Sequence, residues 1–152
     1  MTLPLHRRIV PPVYLLCALL LMYALHRLLP VAYPFPAPFN WTGMLPVAAG
    51  ILLAATGART FRSAGTPVKP FETSTSLVTH GLYRYTRNPM YLGLLCIAAG
   101  VWVLLGSLTP GIVLPAFFLL LRQGFVVHEE RFMEGLFGDD YRRYCAQVRR
   151  WW

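Results

Sequence analysis

Four apolar runs dominate this chain and leave few ways to fold it. They are "PVYLLCALLLMYALHRLL" (12–29), "WTGMLPVAAGILLAATGA" (41–58), "MYLGLLCIAAGVWVLLG" (90–106) and "TPGIVLPAFFLLLRQGFVV" (109–127). Each approaches the ~20 residues that carry a helix across a bilayer, within the usual ~17–25. The third and fourth runs are joined only by Ser107 and Leu108, which predicts a tight helical hairpin. The chain is 56% hydrophobic and 13% charged. Soluble domains carry roughly twice that charged fraction, about 25%. The expectation is an all-α integral membrane bundle of about four transmembrane helices. Its 152 residues form one domain, with two N-terminal spans in 1–58 and a functional core in 59–152. The first run follows His6, Arg7 and Arg8 as a signal peptide would, but no convincing cleavage pattern comes after it, so it reads as a retained span.

Charge sets the expected orientation. The chain has 14 Lys and Arg against 6 Asp and Glu, a net +8. The 30–40 loop has no charged residue, whereas Arg7, Arg8, the 59–88 loop and the tail are basic. The positive-inside rule then places both termini and the 59–88 loop in the cytosol. Arg27, the exception, sits near a helix end and can snorkel to the outer interface. The basic excess is accounted for by topology and anionic headgroups, so nucleic acid is not an expected partner; the lipid bilayer is. Cys17, Cys96 and Cys145 show no metal or disulfide spacing, and free thiols and no metal are expected.

Small residues recur every seven positions: Gly43, Gly50 and Gly57 in the second run, Gly93 and Gly100 in the third. Such stripes let helices approach closely. The 59–88 loop is long but contains Phe61, Val68, Phe71, Leu77, Val78 and Leu82, which argues against disorder. The tail predicts a continuation of the fourth helix, a break near Gly138 and an amphipathic cytosolic helix from Asp139 or Asp140. Trp151 and Trp152 suit an interfacial anchor.

Two constellations carry polar chemistry. Asn88-Pro89 is a helix start, with Asn a preferred N-cap and Pro favoured at the first helical position. Tyr91 lies on the same side of that first turn, and a free helix N-terminus can receive an anion. The second constellation is "RQGFVVHEER" (122–131). In a regular helix Arg122 and Glu129 share a face about 10 Å apart. Adjacent Glu129 and Glu130 point about 100° apart, so both can face one small ligand only if it wraps the helix end, or one faces the ligand while the other pairs with an arginine. The bland alternative is two solvated carboxylates paired with Arg84, Arg87 or Arg131.

Together, "LVTHGLYRYTRNPMYLG", the hairpin and "EERFMEGLFGDDYRRYCAQVRRW" resemble the isoprenylcysteine carboxyl methyltransferase and phospholipid methyltransferase superfamily over roughly 59–152. The motif is Arg87-Asn88-Pro89-Met90-Tyr91-Leu92-Gly93, then Glu129-Glu130, then Phe137-Gly138-Asp139-Asp140-Tyr141 with Tyr144. The resemblance implies an S-adenosylmethionine-dependent membrane methyltransferase with its cofactor at the cytosolic face. Cofactor contacts carry over to Ser76, Leu77, Val78, Tyr83, Asn88, Tyr91, Glu129 and Glu130. Arg87 and Arg122 are candidate substrate contacts. No catalytic base is assigned; His80 and His128 are the nearby imidazoles. Isoprenylcysteine enzymes usually carry His where Asn88 stands, whereas Asn is common among bacterial-looking members, so the expected setting is a bacterial inner membrane. The acceptor stays open: a lipophilic or small molecule offering a carboxylate, thiol or amine. A nicotinamide-dependent membrane reductase and a non-enzymatic membrane scaffold are the alternatives. Oligomeric state is not legible.

Overall fold

The computed structural model describes residues 10–65 and 76–151. Expectations placed on His6, Arg7, Arg8, Val68, Phe71 and Trp152 lie outside the described residues. The described chain is helical, with helices α1 (Pro11–Leu28), α2 (Met44–Ser63), α3 (Pro89–Leu105), α4 (Thr109–Phe137) and α5 (Asp139–Gln147). Helix α4 opens with a 3₁₀ turn, Thr109–Ile112, and contains a π segment, Arg122–Val126. A second 3₁₀ turn, Phe39–Gly43, leads into α2. Three apolar helices are long enough to cross a membrane, and α3, with 17 residues, meets the lower end of the ~17–25 range. The protein is an all-α membrane bundle.

Helix α3 is apolar on every side because it is contacted by α1, α2 and α4. One side joins a core with Met22 and Leu15 of α1 and Phe117, Leu121 and Phe125 of α4. Met22 and Leu121 have no exposed surface. The outward positions stay apolar: Leu16, Leu20 and Leu21 on α1, Ile51 and Leu52 on α2, and Leu119 on α4 are exposed. Lipid solvates such residues as well as a neighbouring helix would. Helix association here therefore rests on close packing rather than on removing apolar surface from water.

The other side of α3 shows how that packing is reached. Helix α2 crosses it antiparallel, with Gly50 against Gly93 and Gly43 against Gly100. A Cβ added at Gly93 would lie 2.6 Å from the Gly50 carbonyl oxygen, and one added at Gly100 2.6 Å from that of Gly43. The seven-residue spacing is thus a backbone-to-backbone seam. Helix α2 also runs to Ser63, five residues beyond the expected span end at 58. The first arginine of the segment suggested a stop at the hydrophobic boundary. The helix continues through it, carrying exposed Arg59 into its last turns.

The 29–43 segment and the α3–α4 turn close one end of the bundle, hereafter the turn end. Gly106 ends α3 at φ 81°, in the left-handed region that lets the chain reverse within two residues. At the opposite, polar end, Gly138 at φ 52° breaks α4 from α5 as expected. Helix α5 then folds back, burying Tyr141, Tyr144 and Val148 against Leu77, Met133 and Phe137. Trp151 stacks on Phe118 of α4, ring centroids 5.2 Å apart, so the tail returns to the bundle.

Candidate functional site

The polar end gathers most of the residues nominated from sequence. Tyr91, in the first turn of α3, donates its hydroxyl hydrogen bond to Glu129 Oε1 at 2.7 Å. The Phe125 ring lies 6.3 Å from that of Tyr91 and forms the apolar floor beside the pair. Glu129 makes no ion pair among the described residues. Glu130 has the opposite environment. Arg150 grips it from the tail with Nη2 to Oε2 at 2.7 Å and Nε to Oε1 at 2.9 Å, and Arg87 Nη1 approaches Oε1 at 3.4 Å. The Glu130 side chain is only 16% exposed and that of Arg87 13%, so their contact is shielded from solvent, while Arg150, 33% exposed, closes it from the outside. Its hydrogen bonds to Glu130 raise the Arg150 pKa further above its ordinary value. Two neighbours about 100° apart on one helix thus have different partners: a neutral hydroxyl for Glu129, two guanidiniums for Glu130.

Tyr83 is placed by a short 3₁₀ turn, Gly81–Arg84, and packs beside Phe61 of α2 with centroids 5.0 Å apart. Its backbone carbonyl accepts the Tyr144 hydroxyl at 2.7 Å, which pins this turn to α5. Its own hydroxyl is buried and has no partner among the described residues. Burial, with Tyr144 and Glu129 nearby, pushes its pKa well above the usual phenol range, so it is a neutral donor. Val78 is buried, Leu77 packs on the α5 tyrosines, and Ser76 Oγ donates to the Ala64 carbonyl at 3.2 Å. His128 Nδ1 is buried without a partner among the described residues, whereas His80 is exposed.

Two expectations need correction. Asn88 occupies the N-cap position of α3, but its side chain does not cap. Its backbone, at φ −131° and ψ 51°, lies outside the extended region typical of a capping residue. Its Nδ2 instead donates to the Arg150 carbonyl at 3.0 Å. Thr86 Oγ1 donates to the same oxygen at 3.2 Å, and the Arg87 amide donates to the Arg149 carbonyl at 3.0 Å. The motif therefore holds the C-terminal tail. Arg122, in turn, does not share a face with Glu129, because the spacing argument assumed a regular α-helix. The π segment from Arg122 to Val126 adds one residue to the turn and offsets the two positions by about 100°.

The sequence reading missed Arg150 and Thr86. Both act through tertiary contacts more than sixty positions from one partner, and no local spacing signals them. The Tyr144 contribution had a signal: Tyr141 and Tyr144, three apart, form the buried stripe of a short polar helix.

A membrane-embedded helical bundle with a polar junction of Asn, Tyr, Arg and paired Glu at one end is the class that fold and site define. The chain matches the phospholipid methyltransferase family over residues 39–140, more than half its length, and belongs to that family. An uncharacterized protein of Haemophilus influenzae is 40% identical over 62 residues, covering 41% of this chain and 98% of that protein. The protein-S-isoprenylcysteine O-methyltransferase of Schizosaccharomyces pombe is 36% identical over 75 residues, 47% of this chain and 30% of that enzyme. A probable protein-S-isoprenylcysteine O-methyltransferase of Oryza sativa subsp. indica is 36% identical over 81 residues, 51% of this chain and 41% of that protein. The chain thus spans less than half the length of these two methyltransferases. No solved structure matches it.

Proposed function

We propose that this chain is an S-adenosylmethionine-dependent methyltransferase working at the polar end of its bundle. Its acceptor is a lipophilic or small molecule offering a carboxylate, thiol or amine. The observation that carries this reading is the split of the glutamate pair: Glu130 is consumed by Arg87 and Arg150, while Glu129 keeps acceptor capacity beside two tyrosines. Family membership supports methyl transfer.

The residues fit the cofactor. Glu129 would take its ammonium or ribose diol, both hydrogen-bond donors. Tyr83 brings a buried hydroxyl with no partner among the described residues, and the rings of Tyr83 and Tyr91 favour a nearby cation. The first-turn amides of α3 carry no side-chain cap, so they are open to a carboxylate. Ser76, Leu77 and Val78 would border the cofactor, with Asn88 and Glu130 holding the tail behind it. Arg122 remains the candidate for contact with the acceptor. When bound, the cofactor supplies an electrophilic methyl carbon. The chain's part is then positional, since holding a nucleophile in line can supply much of the barrier reduction. His128, with its buried unpartnered Nδ1, is the group on hand if an amine acceptor must lose a proton.

The polar end faces the cytosol in this reading, as the basic residues of α2, the 76–88 segment and the tail require. In a cysteine-free background, Pro36→Cys should react with an impermeant reagent from outside and Ala64→Cys only from inside. The reverse pattern would put the site on the wrong side for a cytosolic cofactor. Titrating S-adenosylmethionine and a nicotinamide nucleotide into purified protein, then following labelled methyl into a lipid extract, tests the activity. Binding of the nucleotide alone would favour a reductase, and binding of neither a scaffold.

A further inference from the structure

The methyl-transfer reading leaves a second polar feature unused. A cleft of ≈340 Å³ runs between α4 and α5, with Arg87 and Arg150 at its base. Its α4 wall is Val127, Glu130, Arg131 and Glu134, at i, i+3, i+4 and i+7, and so a single helical face. Tyr141, Arg142 and Cys145 form the opposite wall.

Charge decides what such a cleft can hold. Arg87, Arg131, Arg142 and Arg150 line it against two carboxylates, Glu130 and Glu134. Both carboxylates are taken, Glu130 by Arg87 and Arg150, Glu134 by Arg142 at 2.8 Å. Arg131 lines the cleft with no ion pair among the described residues; Arg87 donates from Nη1 to Cys145 Sγ, and its buried Nε has no hydrogen-bond partner among the described residues. The lining therefore carries surplus cationic donors and no carboxylate left to accept from them. A cationic ligand would find no free counter-charge, whereas an oxyanion would meet the exposed guanidinium of Arg131 beside those of Arg87 and Arg150. Guanidiniums suit phosphate and carboxylate because their planar donor forks match those groups.

We propose that the α4–α5 cleft is an oxyanion-binding site, distinct from the Glu129 side, that takes a phosphate or carboxylate group between Arg131 and Arg87. The group can belong to a free small anion or to an anionic lipid headgroup at the membrane surface. Either source meets the same donors.

The test uses the full-length protein in phosphatidylcholine nanodiscs, titrated with inorganic phosphate, and in nanodiscs containing phosphatidylglycerol. Thermal shift and the lipid retained in native mass spectrometry are the readouts. A response to phosphate in phosphatidylcholine identifies a free anion; selective retention of phosphatidylglycerol without it identifies a headgroup. In either case Arg131→Gln should weaken binding about tenfold, the loss of one charge-assisted hydrogen bond. Arg131→Lys should keep part of the affinity and serves if the glutamine variant folds poorly. Arg84→Gln removes the same charge from an exposed position outside the cleft and should leave affinity unchanged. Equal weakening by Arg84→Gln and Arg131→Gln would mean a diffuse basic surface and overturn the site, as would no response to either anion. S-adenosylmethionine titrated into the same wild-type preparation reports separately on methyl transfer, so failure of one reading does not disguise failure of the other.

Discussion

The two ends of the bundle are built on opposite principles. At the turn end, neutral groups stitch the chain together: His26 Nδ1 lies 2.8 Å from Ser107 Oγ, Trp102 Nε1 donates to the Ser107 carbonyl, and Asn40 Nδ2 to that of Leu104. Backbone amides of Leu108 and Phe35 close the gaps between the two loops. At the polar end, charged side chains meet, and three of the four buried polar atoms without a partner among the described residues are there: Tyr83 OH, Arg87 Nε and His128 Nδ1. Buried polar groups are nearly always paired, so a cluster of exceptions calls for an explanation. The turn end leaves one such atom, Asn40 Oδ1, and is otherwise finished, while the polar end keeps donors and acceptors for something else to satisfy.

The largest effect that would sharpen this contrast concerns Glu130. Its carboxylate neutralises Arg87 and Arg150 behind a largely buried face, and removing one member of a shielded pairing leaves charges uncompensated. Glu130→Leu should cost about 3 kcal/mol, the low end for such changes given residual solvent access. A chemical or thermal melt in detergent measures it. A change under ~0.5 kcal/mol, the range of ordinary surface substitutions, would mean that the tail is not held by this pair.

Gly93→Val comes next. It forces a Cβ against the Gly50 carbonyl and should destabilise by about 1–3 kcal/mol through overpacking at the α2–α3 seam. Methyl-donor affinity should follow only as far as folding does. Ser107→Ala is the smallest of the three. It strips a fully buried hydroxyl from its contact with His26 and should cost about 1 kcal/mol. It should leave cofactor affinity untouched, because it acts at the finished end. Weakened cofactor binding in a well-folded Ser107→Ala protein would erase the division between the ends.

These residues also show how far the sequence could be read. Long apolar runs are local patterns, so the four long helices were legible to within about five residues, and the Asp139–Gln147 helix was legible from its start; the glycine spacing marked close approach but not that α2 and α3 meet through it. Gly138 signalled its break as a local pattern too. The π turn at Arg122–Val126 was not legible, since no spacing rule distinguishes it from an α turn, and it removed the expected alignment of Arg122 with Glu129. Asn88 misled because a good N-cap residue found a better partner in the Arg150 carbonyl, sixty-two positions away. Adjacent glutamates on a helix left two arrangements open by geometry, one shared ligand or divergent partners, and the structure shows divergent partners. Which glutamate took the arginines depended on where the tail docked, and that is tertiary information.

The central claim is that Glu129, not its neighbour, is the carboxylate kept for the methyl donor. Measuring S-adenosylmethionine affinity and melting temperature of Glu129→Gln beside wild type in one detergent tests it most directly. Losing a hydrogen bond to a charged group is worth about 1.5–3 kcal/mol, so affinity should fall roughly ten- to hundredfold. The melting temperature should stay near that of wild type, because glutamine can still accept from Tyr91. Wild-type affinity in a normally melting Glu129→Gln protein would contradict the account and return the acidic pair to a purely structural role.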